Sequence, residues 1–119
     1  MKETKFVVVD PADCVENPDG SIKNSAVSEE LTYAAKVLRS GGLVVFPTET
    51  VYGLGGNATD PEAAKKIYAA KNRPSDNPLI IHIATPGDAE KYAYTNELYY
   101  KFAKAFMPGP LTIILPRKN

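Results

Sequence analysis

An α/β fold of the mixed, α+β kind is what this sequence predicts, and three observations predict it. Apolar runs of strand length recur at Phe6 to Val9, Leu43 to Phe46 and Leu79 to Ile81. Stretches with apolar residues at helical spacing lie between them, and Gly, Pro and Asn mark the joints. The order β, α, β opens a layered fold with helices packed on a sheet. Burial on both sheet faces would give continuous apolar strands. The polar run Thr48-Glu49-Thr50 and His82 break that continuity, so the expectation is a twisted mixed sheet with flanking helices and one face open as a groove lined by Thr48 to Tyr52, Lys71 to Asn77 and His82.

Each element has its own signal. Lys5 to Asp10 places three valines after an aromatic and stops at Asp10-Pro11, which predicts a buried strand ended by a turn. Pro11 to Ser25 is loop-like, with a type I turn at Asn17-Pro-Asp-Gly20 and a short extended piece at Ile22. Ser28 can cap a helix whose inner stripe is Leu31, Ala34, Ala35 and Leu38, closed by Gly41-Gly42 before the strand Leu43 to Phe46. Thr59 or Asp60 caps the next helix, with Glu62 available for a capping box, Ala63, Ala64, Ile67 and Ala70 inward, and an end near Lys71 forced by Pro74. Leu79 to Ala84 reads as a strand, Gly87 to Tyr92 as a short helix, and Asn96 to Phe106 as a helix with Leu98, Phe102 and Ala105 on one stripe. Leu111 to Leu115 reads as a final strand after Pro108-Gly-Pro110.

Composition narrows the function classes. At 119 residues a single domain spanning 1–119 is expected. Fourteen Lys+Arg balance fourteen Asp+Glu, so no overall field favours nucleic acid or an anionic membrane. No apolar run approaches a membrane span and no secretory leader is legible, which makes a cytoplasmic protein the simplest expectation. One cysteine, Cys14, and one histidine, His82, argue against a disulfide framework or a protein-held metal.

Three features could carry chemistry. The run Phe46 to Asn57 ends a strand in polar groups and then sets three glycines within four positions, which suits a ligand approached closely by backbone; a glycine-rich turn between two strands is the plainer reading. Gly53-x-Gly55-x-x-Ala58 also matches the degenerate dinucleotide fingerprint, but no helix follows directly, so a Rossmann site is disfavoured. Lys71 and Arg73 lie two apart at a forced helix end, where both cations could meet one polyanion; equally, they could be helix-end cations favoured by the macrodipole. His82 interrupts an apolar run, as a satisfied half-buried imidazole or as a ligand contact. The aromatics Tyr92, Tyr94, Tyr99, Tyr100, Phe102 and Phe106 are not interleaved with a basic stripe and read as core and rim.

Taken together, Leu38-Arg-Ser-Gly-Gly-Leu-Val-Val-Phe-Pro-Thr-Glu-Thr-Val-Tyr-Gly-Leu-Gly55, Lys71-x-Arg-Pro-x-x-Asn-Pro-Leu-x-x-His82-Ile and Pro108-Gly-Pro-Leu-Thr112 resemble the YrdC-like family, the L-threonylcarbamoyladenylate synthases. The resemblance implies the YrdC-like fold and a nucleotidyltransferase that joins L-threonine, bicarbonate and ATP into threonylcarbamoyl-AMP and pyrophosphate, for threonylcarbamoyl-adenosine in tRNA. Carried over residue by residue, it puts Thr50 and His82 at threonine and Lys71, Arg73 and Asn77 at ATP, with Lys71 and Arg73 the catalytic cations. Magnesium is implied as the companion of ATP, with no metal held by the protein itself. Contact with tRNA is implied as indirect or weak, alongside partner proteins of tRNA modification.

The family's pattern continues into a Thr-Val-x-x-Arg strand and a Ser-x-Asn motif, whereas this sequence reaches Asn119 before either. The resemblance therefore predicts the N-terminal part, about two-thirds, of a family domain, with turnover dependent on the later segment. A non-catalytic nucleotide- or RNA-binding remnant of the same fold is the alternative. Open strand edges after Leu115 would favour self-association into a homo-oligomer.

Overall fold

The computed structural model describes residues 3–72, 74 and 78–119. They fall into two compact units, residues 1–74 and 75–119, each of which is described by itself.

In the first unit the described chain has no assigned element over residues 3–10, meets a single 3-10 turn at Pro11–Asp13 capped by Asp10, and then forms a narrow loop. Asn17 and Ser21 close that loop: the Asn17 N–H donates to the Ser21 carbonyl at 2.7 Å and the Gly20 N–H to the Asn17 carbonyl at 2.9 Å. Gly20 takes φ +88°, a conformation that suits a residue without Cβ. Ile22 pairs with Glu16 in an isolated bridge, so the short extended piece expected there is present.

Helix α1 runs Ser25–Arg39. It begins three residues before the expected Ser28 cap, because the Asn24 side chain accepts from the N–H groups of Ala26 and Val27 at 3.0 and 3.2 Å. An Asn carbonyl there satisfies two orphan donors at once, which Ser28 one turn later cannot do. The early start brings Val27 into the core, while Leu31, the first residue of the expected stripe, stays 48 % exposed. The helix ends as its glycines predict. Gly41, at φ +90°, donates to the Leu38 carbonyl, and the Gly42 N–H reaches the Val37 carbonyl at 2.9 Å, a Schellman closure. The Lys66 ammonium adds a bond to the Gly41 carbonyl at 2.8 Å.

Strands β1 (Val44–Phe46) and β2 (Gly53–Gly55) pair antiparallel, with Val45 opposite Leu54. Helix α2 follows at Pro61–Lys71. Of the two expected caps, Asp60 is used: its carboxylate accepts from the Glu62 N–H at 3.0 Å, while Thr59 turns back to Asn57. Ala63 and Ile67 are buried, and Gly56 packs so close to Leu43, Ala63 and Ile67 that a side chain there would crowd all three. Ala70, expected inward, is exposed, because the inner face is complete one turn earlier. The helix stops where expected, with Asn72 in the left-handed region at φ 52°.

In the second unit the expected short helix is a 3-10 helix at Pro86–Lys91, one residue earlier than expected, and α3 runs Glu97–Phe106 with Asn96 as its cap. The buried face of α3 is Tyr99 and Ala103, not the expected Leu98, Phe102 and Ala105. Tyr99 wins that place because its hydroxyl finds the Pro86 carbonyl at 2.7 Å, and small Ala103 admits the neighbours that pack there. Around Ala89, Tyr99 and Ala103 gather Ile83, Met107, Ile113 and Leu115.

Three expected strands are not ladders among the described residues. Lys5 to Asp10 carries no ladder and is exposed, with Phe6 87 % and Val8 84 % open. Leu79 to Ala84 carries no ladder, and Leu79, Ile80 and Ile81 are exposed. Leu111 to Leu115 keeps the strand alternation, with Ile113 and Leu115 packed and Ile114 outward. It is tied down beyond its end, where Tyr94 donates to the Pro116 carbonyl and Lys118 to the Tyr92 carbonyl, both at 2.9 Å. The physical reason is common to the three: a strand is completed by hydrogen bonds from a neighbour, and an apolar run specifies burial without supplying that neighbour. The mixed α/β character stands, with an antiparallel pair as the sheet among the described residues. No helix among them is long and apolar enough to cross a membrane.

Candidate functional site

The densest polar feature of the first unit is the connection between β1 and β2. After Phe46 the chain passes through Pro47 to Tyr52 and returns as Gly53. Six residues are more than a tight hairpin turn needs, and the surplus forms an exposed polar tip. Thr48 organises it. The Thr48 hydroxyl oxygen accepts from the Thr50 N–H at 3.2 Å, its proton goes to the Val51 carbonyl, and it lies 3.5 Å from the Thr50 hydroxyl. A Thr two residues before the bonded N–H is the local geometry that Thr favours at turns. Thr50, predicted as a site residue, thus stands exposed beside a hydroxyl that holds its backbone. Val51 and Tyr52 are 74 % and 76 % exposed on the same loop.

The glycines behind the loop do something other than either sequence reading proposed. Gly53 and Gly55 are neither a turn nor a helix opening; they form β2, and the Phe46 ring lies on them. A Cβ on Gly53 would come within 3.0 Å of that ring, and one on Gly55 within 2.8 Å. The missing side chains let the aromatic cover its own hairpin. The next helix begins only at Pro61, so the dinucleotide fingerprint has no structural support.

Lys71 closes α2 in its last turn and is exposed, on the same unit as Thr50. Cations are favoured at this end by the carbonyl-rich terminus, as the plainer reading holds. Arg73 and Asn77, the other residues expected at ATP, lie outside the described residues. His82 belongs to the second unit and is exposed; its Nδ1 lies 3.1 Å from the Ile80 carbonyl. A carbonyl only accepts, so that bond puts the ring proton on Nδ1. The exposed imidazole replaces the half-buried one expected from the strand pattern. The expected groove of 48–52, 71–77 and 82 draws on both units and on residues outside the description. Among the described residues no group of three His, Cys, Asp or Glu could hold a metal ion.

Thr48, which the sequence places in the lining of the expected groove without a role of its own, is the residue that organises this loop. Its signal was present in the Thr-x-Thr spacing, which places one hydroxyl on the other residue's N–H.

Comparison with known proteins adds the context. Residues 36–119 match the model of the Sua5/YciO/YrdC family, described by the words "Telomere recombination". The chain is 54 % identical over 91 residues to the threonylcarbamoyl-AMP synthase of Pyrococcus abyssi, covering 76 % of this chain and 27 % of that protein. It is 52 % identical over 90 residues to the enzyme of the same name from Bacillus subtilis, covering 75 % of this chain and 26 % of that protein. A solved structure, that of P. abyssi Sua5 complexed with L-threonine, superposes with a TM-score of 0.73 at 52 % identity, over 76 % of this chain and 27 % of the other. The chain thus spans about a quarter of the length of these relatives.

Proposed function

This chain belongs to the Sua5/YciO/YrdC family, and on that premise we propose that it carries part of the substrate site of a threonylcarbamoyl-AMP synthase. The observation that carries the reading is the likeness to the solved relative that binds L-threonine, at 52 % identity and a TM-score of 0.73. The motif residues Thr50, Lys71, Arg73, Asn77 and His82 all lie within the family match at 36–119.

The reaction has two bond-forming steps. The amine of L-threonine takes up bicarbonate with loss of water to give a carbamate, and a carbamate oxygen then attacks the α-phosphorus of ATP, expelling pyrophosphate. A carbamate is a weak nucleophile and already anionic, so the second step brings negative charge toward negative charge. Cations aimed at the phosphates offset that charge most where it grows, in the transition state. Lys71 as a point charge and Arg73 as a planar fork suit that work, with Asn77 a neutral partner for ATP and magnesium arriving on the nucleotide as part of the substrate. The carbonyl-rich end of α2 is unfavourable to a phosphate, and cationic side chains would offset that. Thr50 and His82 would hold threonine through its polar groups. The product suits modification of tRNA, with partner proteins of tRNA modification receiving it, and a cytoplasmic site of action goes with this reading. A non-catalytic RNA-binding role has less support: the formal charge is zero, and the relatives carry the names of enzymes.

Because the chain spans about a quarter of its relatives, binding is the property it can report directly. L-threonine is titrated into it by calorimetry in the presence of MgATP, against L-serine and D-threonine. Saturable binding that prefers L-threonine, weakened by Thr50→Val and by His82→Ala, supports the reading. Equal, unsaturable responses to all three amino acids would sink it.

A further inference from the structure

We propose that Lys66 is a positioning residue for the phosphate site: its bond to the Gly41 carbonyl fixes the rotation of α2 about its axis, and so the place where Lys71 leaves the helix. The proposal deepens the nucleotide reading above and rests on the assignment of Lys71 to ATP.

The three lysines of α2 divide by what they touch. Lys65 pairs with Glu62 one turn back, at 3.1 Å. The Lys66 ammonium crosses from α2 to the end of α1 and donates to the Gly41 carbonyl at 2.8 Å. Lys71 makes no hydrogen bond or ion pair among the described residues, so its ammonium is open to a ligand. The junction that receives Lys66 is tight. A side chain at Gly41 would meet the Asp60 carboxylate at 3.2 Å and the Lys66 ammonium at 3.9 Å, and φ +90° already suits a residue without Cβ.

Apolar packing sets the distance of α2 from its neighbours better than it sets the helix's turn. The buried residues of α2 are Ala63 and Ile67, one of them a single methyl, and they pack beside Gly56 and Leu43. Such burial is non-directional, whereas a charge-assisted bond to one carbonyl oxygen has a direction. Lys66 and Lys71 stand on opposite flanks of the buried stripe. At about 100° per residue, Lys66 falls about 60° to one side of Ala63, and Lys71 about 40° beyond Ile67 on the other. A turn of about 15° shifts a point about 5 Å from the axis by about 1.3 Å, so pinning one flank holds the other. A phosphate then meets a cation whose base is already in place, which lowers the ordering cost of binding.

The test uses the whole chain. Lys66→Met keeps the aliphatic stem and a good helix former and removes the ammonium; Lys66→Arg keeps a charged donor. Without ligand, the nitrogen resonance of Gly42, whose amide shares a peptide unit with the Gly41 carbonyl, should shift in Lys66→Met and stay near its place in Lys66→Arg. By calorimetry, MgATP affinity should fall about fivefold in Lys66→Met, stay within about twofold in Lys66→Arg and fall more than tenfold in Lys71→Met. The pair decides the mechanism. With Lys71 already replaced, Lys66→Met should change MgATP affinity by less than about twofold, because the group it positions is gone. A full fivefold loss in the Lys71→Met background overturns the proposal, since Lys66 then acts on phosphate directly or on stability alone. Unchanged MgATP affinity in Lys66→Met overturns the positioning role and leaves the nucleotide reading intact. No MgATP binding by the unchanged chain, or equal binding by Lys71→Met, overturns that reading and this proposal with it. Lys66→Gln, shorter and uncharged, takes the same place in the comparison if Lys66→Met fails to fold.

Discussion

The ring of Phe46 lies against Gly55 on the facing strand so closely that a Cβ on Gly55 would sit 2.8 Å from ring atom Cε1. The two residues belong to one antiparallel pair, β1 with β2, and their contact covers the hairpin that carries the polar loop. Gly55→Ala should therefore force the ring aside and destabilise the first unit by about 1–3 kcal/mol, the usual cost of overpacking a fitted contact. Gly87→Ala is the comparison: a side chain there meets nothing within 4 Å, and its effect on stability should stay within about 0.5 kcal/mol. Urea unfolding of both variants checks the contrast, and equal midpoints would contradict it.

Tyr99 should be the most costly single hydroxyl to remove from the second unit. It is 3 % exposed and donates to the Pro86 carbonyl at 2.7 Å. Tyr99→Phe should cost about 1–2 kcal/mol, because the ring still packs while the carbonyl loses its donor. Burial, reinforced by the charges of Asp88 and Glu90, raises the phenol above its ordinary value near 10. A group raised on folding contributes stability that is complete below the unfolded value and lost as pH rises through the folded one. Stability of this unit should fall at alkaline pH, and ultraviolet titration should find two tyrosines ionising late, Tyr99 and also Tyr100, whose hydroxyl donates to Glu90; Tyr99→Phe should remove one of the two late ionisations and leave the other.

Asp88 sets the acid limb of the same unit. Its carboxylate accepts from the Thr85 N–H at 3.0 Å and from the Thr85 hydroxyl, which together hold it below the ordinary Asp range, with Lys91 3.4 Å away assisting. The sign is opposite to that of Tyr99. Stability from a lowered carboxylate is present above the unfolded value and is lost as pH falls through the folded one. Carbon-detected titration should show Asp88 protonating last among the exposed carboxylates near it, and Asp88→Asn should flatten the acid limb of the stability curve.

Arg73→Ala should weaken MgATP binding by more than tenfold, since charge-assisted bonds to phosphate are worth about 1.5–3 kcal/mol each. The control is set by the backbone: Asn72 sits at φ 52°, where glycine is at ease, so Asn72→Gly keeps the helix end and should change affinity by less than about twofold. Raising salt should weaken MgATP binding to the unchanged chain more than to Arg73→Ala. Equal affinities for the two variants would remove Arg73 from the site.

Much of the local structure was legible because its causes are local. The Gly41-Gly42 closure of α1, the end of α2 before Pro74 and the Asn17 to Gly20 turn each depend on backbone freedom or a missing N–H that neighbouring residues reveal. Period alone could not choose the inner face of α3. Its ten residues carry two apolar stripes, Leu98-Phe102-Phe106 and Tyr99-Ala103, and only the position of the Pro86 carbonyl favours the second.

The candidate site divides in the same way. The sequence by itself determined the motif residues Thr50, Lys71, Arg73, Asn77 and His82, the break of the helix beside the two cations, and the family those motifs belong to. The tertiary structure alone decided that Gly53 and Gly55 serve the ring of Phe46, and that the hydroxyl of Thr48 meets the Val51 carbonyl. It also left Lys5 to Asp10 and Leu79 to Ala84 without ladders among the described residues. The reason is physical: backbone conformation follows from residues a few places away, whereas a ring's resting place, a hydroxyl's partner and a strand's neighbour depend on atoms brought together only when the chain has folded.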